Sequence, residues 1–151
     1  MVELILRAAT IVFLLLAARG TRWAYVLFVL LALISFFARA GFQIVQPSCE
    51  LLVGPQLAFY SFRNYPHIVL FALFSLLSLA QFKGSRAYVW AFLATFVMGV
   101  LVELAEGFSG QGHCRMRDIL PNTAGAVLGL LTFEAGRTAW KARSGARSDT
   151  R

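Results

Sequence analysis

Residues 87–108 read AYVWAFLATFVMGVLVELAEGF, so sixteen residues pass before the first charge, at Glu103. A membrane span needs about 20 mainly apolar residues, and this run reads as a membrane-crossing helix with two carboxylates, Glu103 and Glu106, near its end. Twelve residues after Glu106 the chain continues DILPNTAGAVLG over 118–129, which sets Asp118 and Asn122 at the start of another apolar run. A charged side chain in hydrocarbon costs about 3 kcal/mol on insertion scales. Polar groups in such segments therefore mark the place where function is expected.

Working outward, four further apolar segments appear at roughly 3–18, 23–45, 65–82 and 119–136. They are continuous rather than alternating, which selects helices over a barrel, the two structures that satisfy every backbone group in lipid. The expected fold is all-α, a polytopic transmembrane bundle of about five helices, or four if the first segment does not span. That segment carries Glu3 and Arg7 and has eleven uncharged residues from Ala8 to Ala18. A signal peptide is the alternative, but Glu3 in the n-region and Leu16-Ala17-Ala18 as a cleavage site suit one poorly. The longest connection, 46–63, holds Pro47, Glu50, Gly54, Pro55 and Arg63 and has room for a short interfacial helix. Residues 1–136 form the expected transmembrane domain, followed by a basic, solvated tail at 137–151.

The chain of 151 residues is 59% hydrophobic and 14% charged, with mean hydropathy +0.71, where a soluble domain has about a quarter of its residues charged. Its formal charge of +7 comes from basic residues at the ends of apolar runs, not from a basic face interleaved with aromatics, so nucleic acid is not an expected partner. Membrane lipids are. With five spans and an inner C-terminus, the inner side collects Arg19, Arg22, Lys83, Arg86, Arg137, Lys141, Arg143, Arg147 and Arg151, against Arg7, Arg39, Arg63, Arg115 and Arg117 outside. Nine against five favours a cytoplasmic tail. Cys49 and Cys114 then share the non-cytoplasmic side, where they either form a disulfide or remain two unpaired small residues.

Glu103 and Glu106 lie three apart and share one helix face. A negative charge near a helix C-terminus opposes the macrodipole, so Glu106 is expected to be neutral or paired, with Arg115 or Arg117 as the nearest cations in sequence. Ending a span at the water interface is the plain alternative for both carboxylates. Asp118 stands where an N-cap would, ahead of Pro121 in the first turn, and capping alone would account for it. Asn122 falls on the same stripe as Asp118, Gly125 and Gly129; the Gly125-x-x-x-Gly129 spacing allows close backbone approach to a neighbour, which sets Asn122 against another helix, expected to be the one bearing Glu103. His67, in Asn64-Tyr65-Pro66-His67, opens the third segment and either joins this cluster or is solvated at the helix end. His113 and Cys114 beside the carboxylates fit no standard metal spacing, so neither metal nor cofactor is expected. Phosphate loops, GxSxG elbows and HExxH pairs are absent from the sequence.

These residues resemble the VanZ-like family, named for a protein associated with glycopeptide (teicoplanin) resistance. Its pattern is a Glu-x-x-Gln near the end of one span, a short Gly-Arg-containing loop, then Asp-x-x-x-Asn-x-x-Gly-x-x-x-Gly. Glu103, Asp118, Asn122, Gly125 and Gly129 match it, and Tyr65-Pro66-His67 is similar to the family's upstream segment. Glu106 stands in place of Gln and Gly112 in place of Arg, so a divergent branch is implied, with Arg115 or Arg117 supplying the cation. The resemblance covers about 64–132 and implies a multi-span protein of the bacterial cytoplasmic membrane.

The expected function is to bind or modify the headgroup of an envelope lipid or polymer, with a non-enzymatic role favoured: Arg115, Arg117 and His113 attract the headgroup, while Glu103, Asp118 and Asn122 hold the loop, altering access of envelope-directed antibiotics. The alternatives are an intramembrane enzyme on a lipid-linked substrate, with Glu103 or Asp118 as acid or base, and a small proton-coupled transporter.

Overall fold

A computed structural model describes residues 2–47, 49–52, 54–110 and 114–148. Those residues form six α-helices: α1 (Val2–Ala18), α2 (Arg22–Arg39), α3 (Pro55–Ser61), α4 (Tyr65–Gln81), α5 (Ala87–Ser109) and α6 (Ile119–Ser148), with a 3₁₀ turn at Met116–Asp118. Two of them, α2 and α5, are long and apolar enough to cross a membrane, and α3 with α4 reaches that length only as a pair bent by 68°. The single helices α1 and α4 have 17 residues each.

Glycines fix where the first two helices stop. Gly20 adopts φ 82°, its amide reaches the Ala17 carbonyl at 2.8 Å and the Thr21 amide reaches Leu16 at 3.4 Å. This doubly bonded cap satisfies the last carbonyls of α1 and turns the chain back into α2. The same arrangement ends α2, where Gly41 (φ 65°) bonds Ala38 at 3.2 Å and Phe42 bonds Phe37 at 2.7 Å. The apolar segment expected over 23–45 is thus cut at Arg39, because hydrophobicity continues through Phe42, Ile44 and Val45 but the backbone does not. At the other end of the chain the last helix continues past the expected boundary at 136. Helix α6 runs on to Ser148, exposed from Ala135 through Ser144, in a stretch rich in the good helix formers Ala, Lys and Arg.

Packing inverts the arrangement of a soluble protein. Side chains facing outward include Ile11, Val12 and Leu15 of α1, Val26 and Leu30 of α2, Val69 and Leu73 of α4, Trp90 and Val97 of α5 and Leu128 and Leu131 of α6. Buried inside are Ser75, Ser78, Gln81, Thr95, Glu103 and Asn122. Most of these inner groups are bonded: Ser75 donates to the Ala126 carbonyl at 2.9 Å, Thr95 to Ala91 at 2.7 Å, and the Gln81 amide to Ala17 at 2.7 Å. Apolar outside and hydrogen-bonded polar inside is the distribution a bilayer favours. The apolar part of the core is Phe71, Phe74, Met98 and Val102, closed by Tyr25, Phe28, Val29 and Leu33 of α2.

The most intimate pairing is α4 with α6. A Cβ on Gly125 would run into the Ile68 carbonyl and lie 2.9 Å from the Phe71 Cβ, and one on Gly129 would lie 2.5 Å from the Ala72 carbonyl and 2.7 Å from the Ser75 Cβ. The glycine stripe thus packs on α4, while Asn122, expected against the Glu103-bearing helix, lies beside Gly99 of α5. By contrast Gly136 has nothing within 4 Å. Gly129→Ala is expected to destabilise the bundle by about 1–3 kcal/mol through overpacking. Gly136→Ala should be neutral or slightly stabilising, by up to about 1 kcal/mol of helix propensity. Reversible unfolding in mixed micelles compares the two.

Candidate functional site

The chain between α2 and α3 is strapped to the chain between α5 and α6. Cys49 and Cys114 form a disulfide with Cα atoms 4.6 Å apart. On either side of it the backbones pair: the Glu50 amide donates to the Cys114 carbonyl at 2.8 Å, Met116 donates to Glu50 at 3.1 Å, and Val45 donates to Phe108 at 2.9 Å. The strap lies directly on Gly107, where a Cβ would be 2.9 Å from the Cys114 Cβ. Only a residue lacking that atom lets the two connections sit so low on α5.

Glu103 receives the strap from below. It is only 2% exposed, and its Oε2 accepts the Arg115 backbone amide at 3.1 Å. Its Oε1 is buried and meets no hydrogen-bond partner among the described residues. The carboxylate thus pins the residue immediately after the disulfide, a role carried by the Arg115 main chain. The guanidinium groups go elsewhere, with Arg115 Nε 3.6 Å from Glu50 Oε2 and Arg117 Nη1 3.5 Å from Glu50 Oε1. Arg117 is the more enclosed, its side chain 12% exposed.

Above this pairing opens a cavity of about 220 Å³ lined by Tyr60, Arg63, Asn64, Arg115, Arg117 and Asp118. Arg63 lies over the Tyr60 ring, 5.4 Å from its centroid. Counting Glu50 at the rim, three guanidinium groups face two carboxylates, which leaves one net positive charge. Asp118 closes the 3₁₀ turn, its amide bonded to the Arg115 carbonyl at 2.9 Å.

A second polar layer lies deeper, toward the glycine seam. His67 Nδ1 and Asn122 Oδ1 are 2.8 Å apart, linking α4 to α6. Asn122 is 2% exposed, and its Cβ and Nδ2 lie 3.2 and 3.4 Å from the Cβ position of Gly99 on α5. Asn122 therefore touches both neighbouring helices, bonding to one and packing on the other. Its Nδ2, like Glu103 Oε1, is buried with no partner among the described residues.

The structure thus gathers Glu103, Arg115, Arg117, Asp118, Asn122 and His67 at one end of the bundle, with Glu106 half-buried one turn beyond Glu103 on α5. His113 lies outside the described residues. Glu50, Arg63 and Tyr60 were missed by the sequence reading, because their place in the 46–63 connection carries no periodic signal. The one available cue was Glu50 standing next to Cys49. No group of three or more His, Cys, Asp or Glu side chains suited to a metal occurs among the described residues.

Fold and site together define an all-helical protein with helices long and apolar enough to cross a membrane and an arginine-lined cavity over a buried polar cluster. No family model matches the chain, and neither a curated protein nor a solved structure does so.

Removing the strap should be costly, since a disulfide closing a long loop contributes about 2–4 kcal/mol. The Cys49→Ser, Cys114→Ser double variant is expected to unfold that much more readily in micelles. Maleimide should label the unfolded wild-type chain only after reduction.

Proposed function

We propose that this chain is a five-span protein of the bacterial cytoplasmic membrane, of VanZ-like type, with its C-terminus inside, and that the cavity beside the disulfide binds a phosphate-bearing headgroup of an envelope lipid or polymer. The observation that carries the reading is the convergence of Arg63, Arg115 and Arg117 on one cavity. Arginine presents a planar donor fork that matches phosphate oxygens, and a single net positive charge suits a singly charged phosphodiester. Glu103 serves by fixing the Arg115 backbone, and Glu50 by holding both side chains in one orientation. The disulfide sits best on an oxidising, non-cytoplasmic face, in keeping with the distribution of Lys and Arg. Occupying an exported headgroup would change the access of glycopeptide antibiotics to the envelope, the effect for which the resembled family is named.

A second reading is supported by Glu103 Oε1, which is buried with no hydrogen-bond partner among the described residues. A buried carboxyl with one oxygen uncommitted suits an intramembrane acid or base acting on a lipid-linked substrate.

Complementation of a deletion strain, read as teicoplanin susceptibility, tests both. Arg117→Gln and Asp118→Asn are expected to insert normally and fail to complement. Headgroup binding by purified Arg117→Gln should weaken about tenfold or more, given ~1.5–3 kcal/mol for a hydrogen bond to a charged group. Glu103→Gln separates the readings. Its amide oxygen still accepts from Arg115, so headgroup binding survives, whereas acid–base chemistry is lost along with any change in lipid or polymer profile. Full complementation by Arg117→Gln would overturn the headgroup reading.

A further inference from the structure

A different part of the bundle carries two cavities that share a wall. One, about 290 Å³, lies between the first turns of α1 and the last turns of α2, with Glu3, Arg7 and Arg39 around it. The other, about 310 Å³, runs deeper between the α1–α2 pair and the α4–α5 pair, against Phe28, Phe36, Leu70, Phe71, Phe74 and Met98. Thr10 and Ser35 line both.

The chemistry changes sharply from one to the other. Arg7 and Arg39 share the single carboxylate of Glu3, Arg39 Nε lying 4.0 Å from Glu3 Oε1, so the upper cleft keeps one net positive charge. The lower groove is lined by no charged residue. Its two hydroxyls are turned into their own helices, Thr10 donating to the Leu6 carbonyl at 2.7 Å and Ser35 to Ala32 at 2.6 Å. They leave the groove effectively apolar.

The groove follows from the glycine seam. Gly125 and Gly129 draw α4 onto α6, and α1 packs chiefly on α2. The space between α1 and α4 is therefore not filled by side chains from either. At about 310 Å³ it falls at the low end of ligand pockets, which run from about 300 to 1,000 Å³, and suits one chain rather than a whole lipid.

We propose that this composite cleft binds a membrane phospholipid of anionic headgroup, with one acyl chain in the groove and the phosphate against Arg7 and Arg39. The charge of the upper cleft selects the headgroup, and the uncharged length of the lower groove selects the chain. This site is separate from the cavity of Arg63, Arg115 and Arg117, and it stands or falls without it.

Photo-crosslinking of the full chain in phosphatidylcholine nanodiscs tests it, with diazirine-acyl phosphatidylglycerol or diazirine-acyl phosphatidylcholine as the probe and peptide mapping of the adducts. Adducts are expected at Leu70, Leu73 and Val102 in excess over Val127 and Leu131, on the outer face of α6, with phosphatidylglycerol favoured. Arg7→Gln and Arg39→Gln should each lower the phosphatidylglycerol yield about fivefold. Ala32→Phe should remove the groove adducts by filling the space. The arginine variants lie in exposed turns and keep the test decisive if Ala32→Phe does not fold. Equal labelling of α6, or equal yields from the two lipids, would each overturn the proposal.

Discussion

The close approach of α4 and α6 governs the rest of the molecule. At Gly125 and Gly129 the two helices leave no room for a single carbon atom, and the contact is with backbone carbonyls as well as side chains. In lipid there is no hydrophobic force to draw helices together, so packing at small residues and interhelical hydrogen bonds must do it. Here the seam is reinforced at one end by His67 with Asn122 and in the middle by Ser75 with the Ala126 carbonyl. The seam fixes the end of α4 that carries His67 beside the start of α6, and with it the floor of the arginine-lined cavity.

A second layer of constraint comes from the loops. Two irregular connections lie over the end of α5, and their polar backbone groups need partners. They find them in each other, through Glu50 with Cys114 and Met116 and through Val45 with Phe108, while the disulfide ties them covalently. Glu103 then fixes the strap to α5 through the Arg115 amide. A carboxylate buried at this point thus has a structural partner, and the arginine side chains are released to line the cavity with Glu50 as their common counter-charge.

Much of this was legible in the chain. Apolar run length located α1, α4, α5 and the start of α6 to within a residue or two, since each run is bounded by Gly, Pro or charge. The short α3 was expected from the Pro and Gly of the longest connection. What misled was hydrophobicity that outlasts its helix: Phe42, Ile44 and Val45 look like more of α2, but Gly41 has already turned the chain. The polar residues were identifiable by their cost in lipid, but their partners were not. Arg115, expected as one of two candidate cations for Glu106, serves Glu103 through its main chain, and Glu50, read only as a polar residue of the longest connection, carries no periodic signal of its place beside Arg115 and Arg117.

The sequence by itself determined the helical character of the chain, the presence of helices long and apolar enough to cross a membrane, the approximate bounds of most helices, and part of the polar set gathered near one end. These follow from composition and from local hydrogen-bonding rules that act over a turn or two of helix. Only the tertiary structure decided that the glycine stripe faces α4, that Cys49 is joined to Cys114, and that Glu50, 65 positions before Arg115, is its ion-pair partner. Those contacts depend on which helix faces which, and no local periodicity encodes that choice.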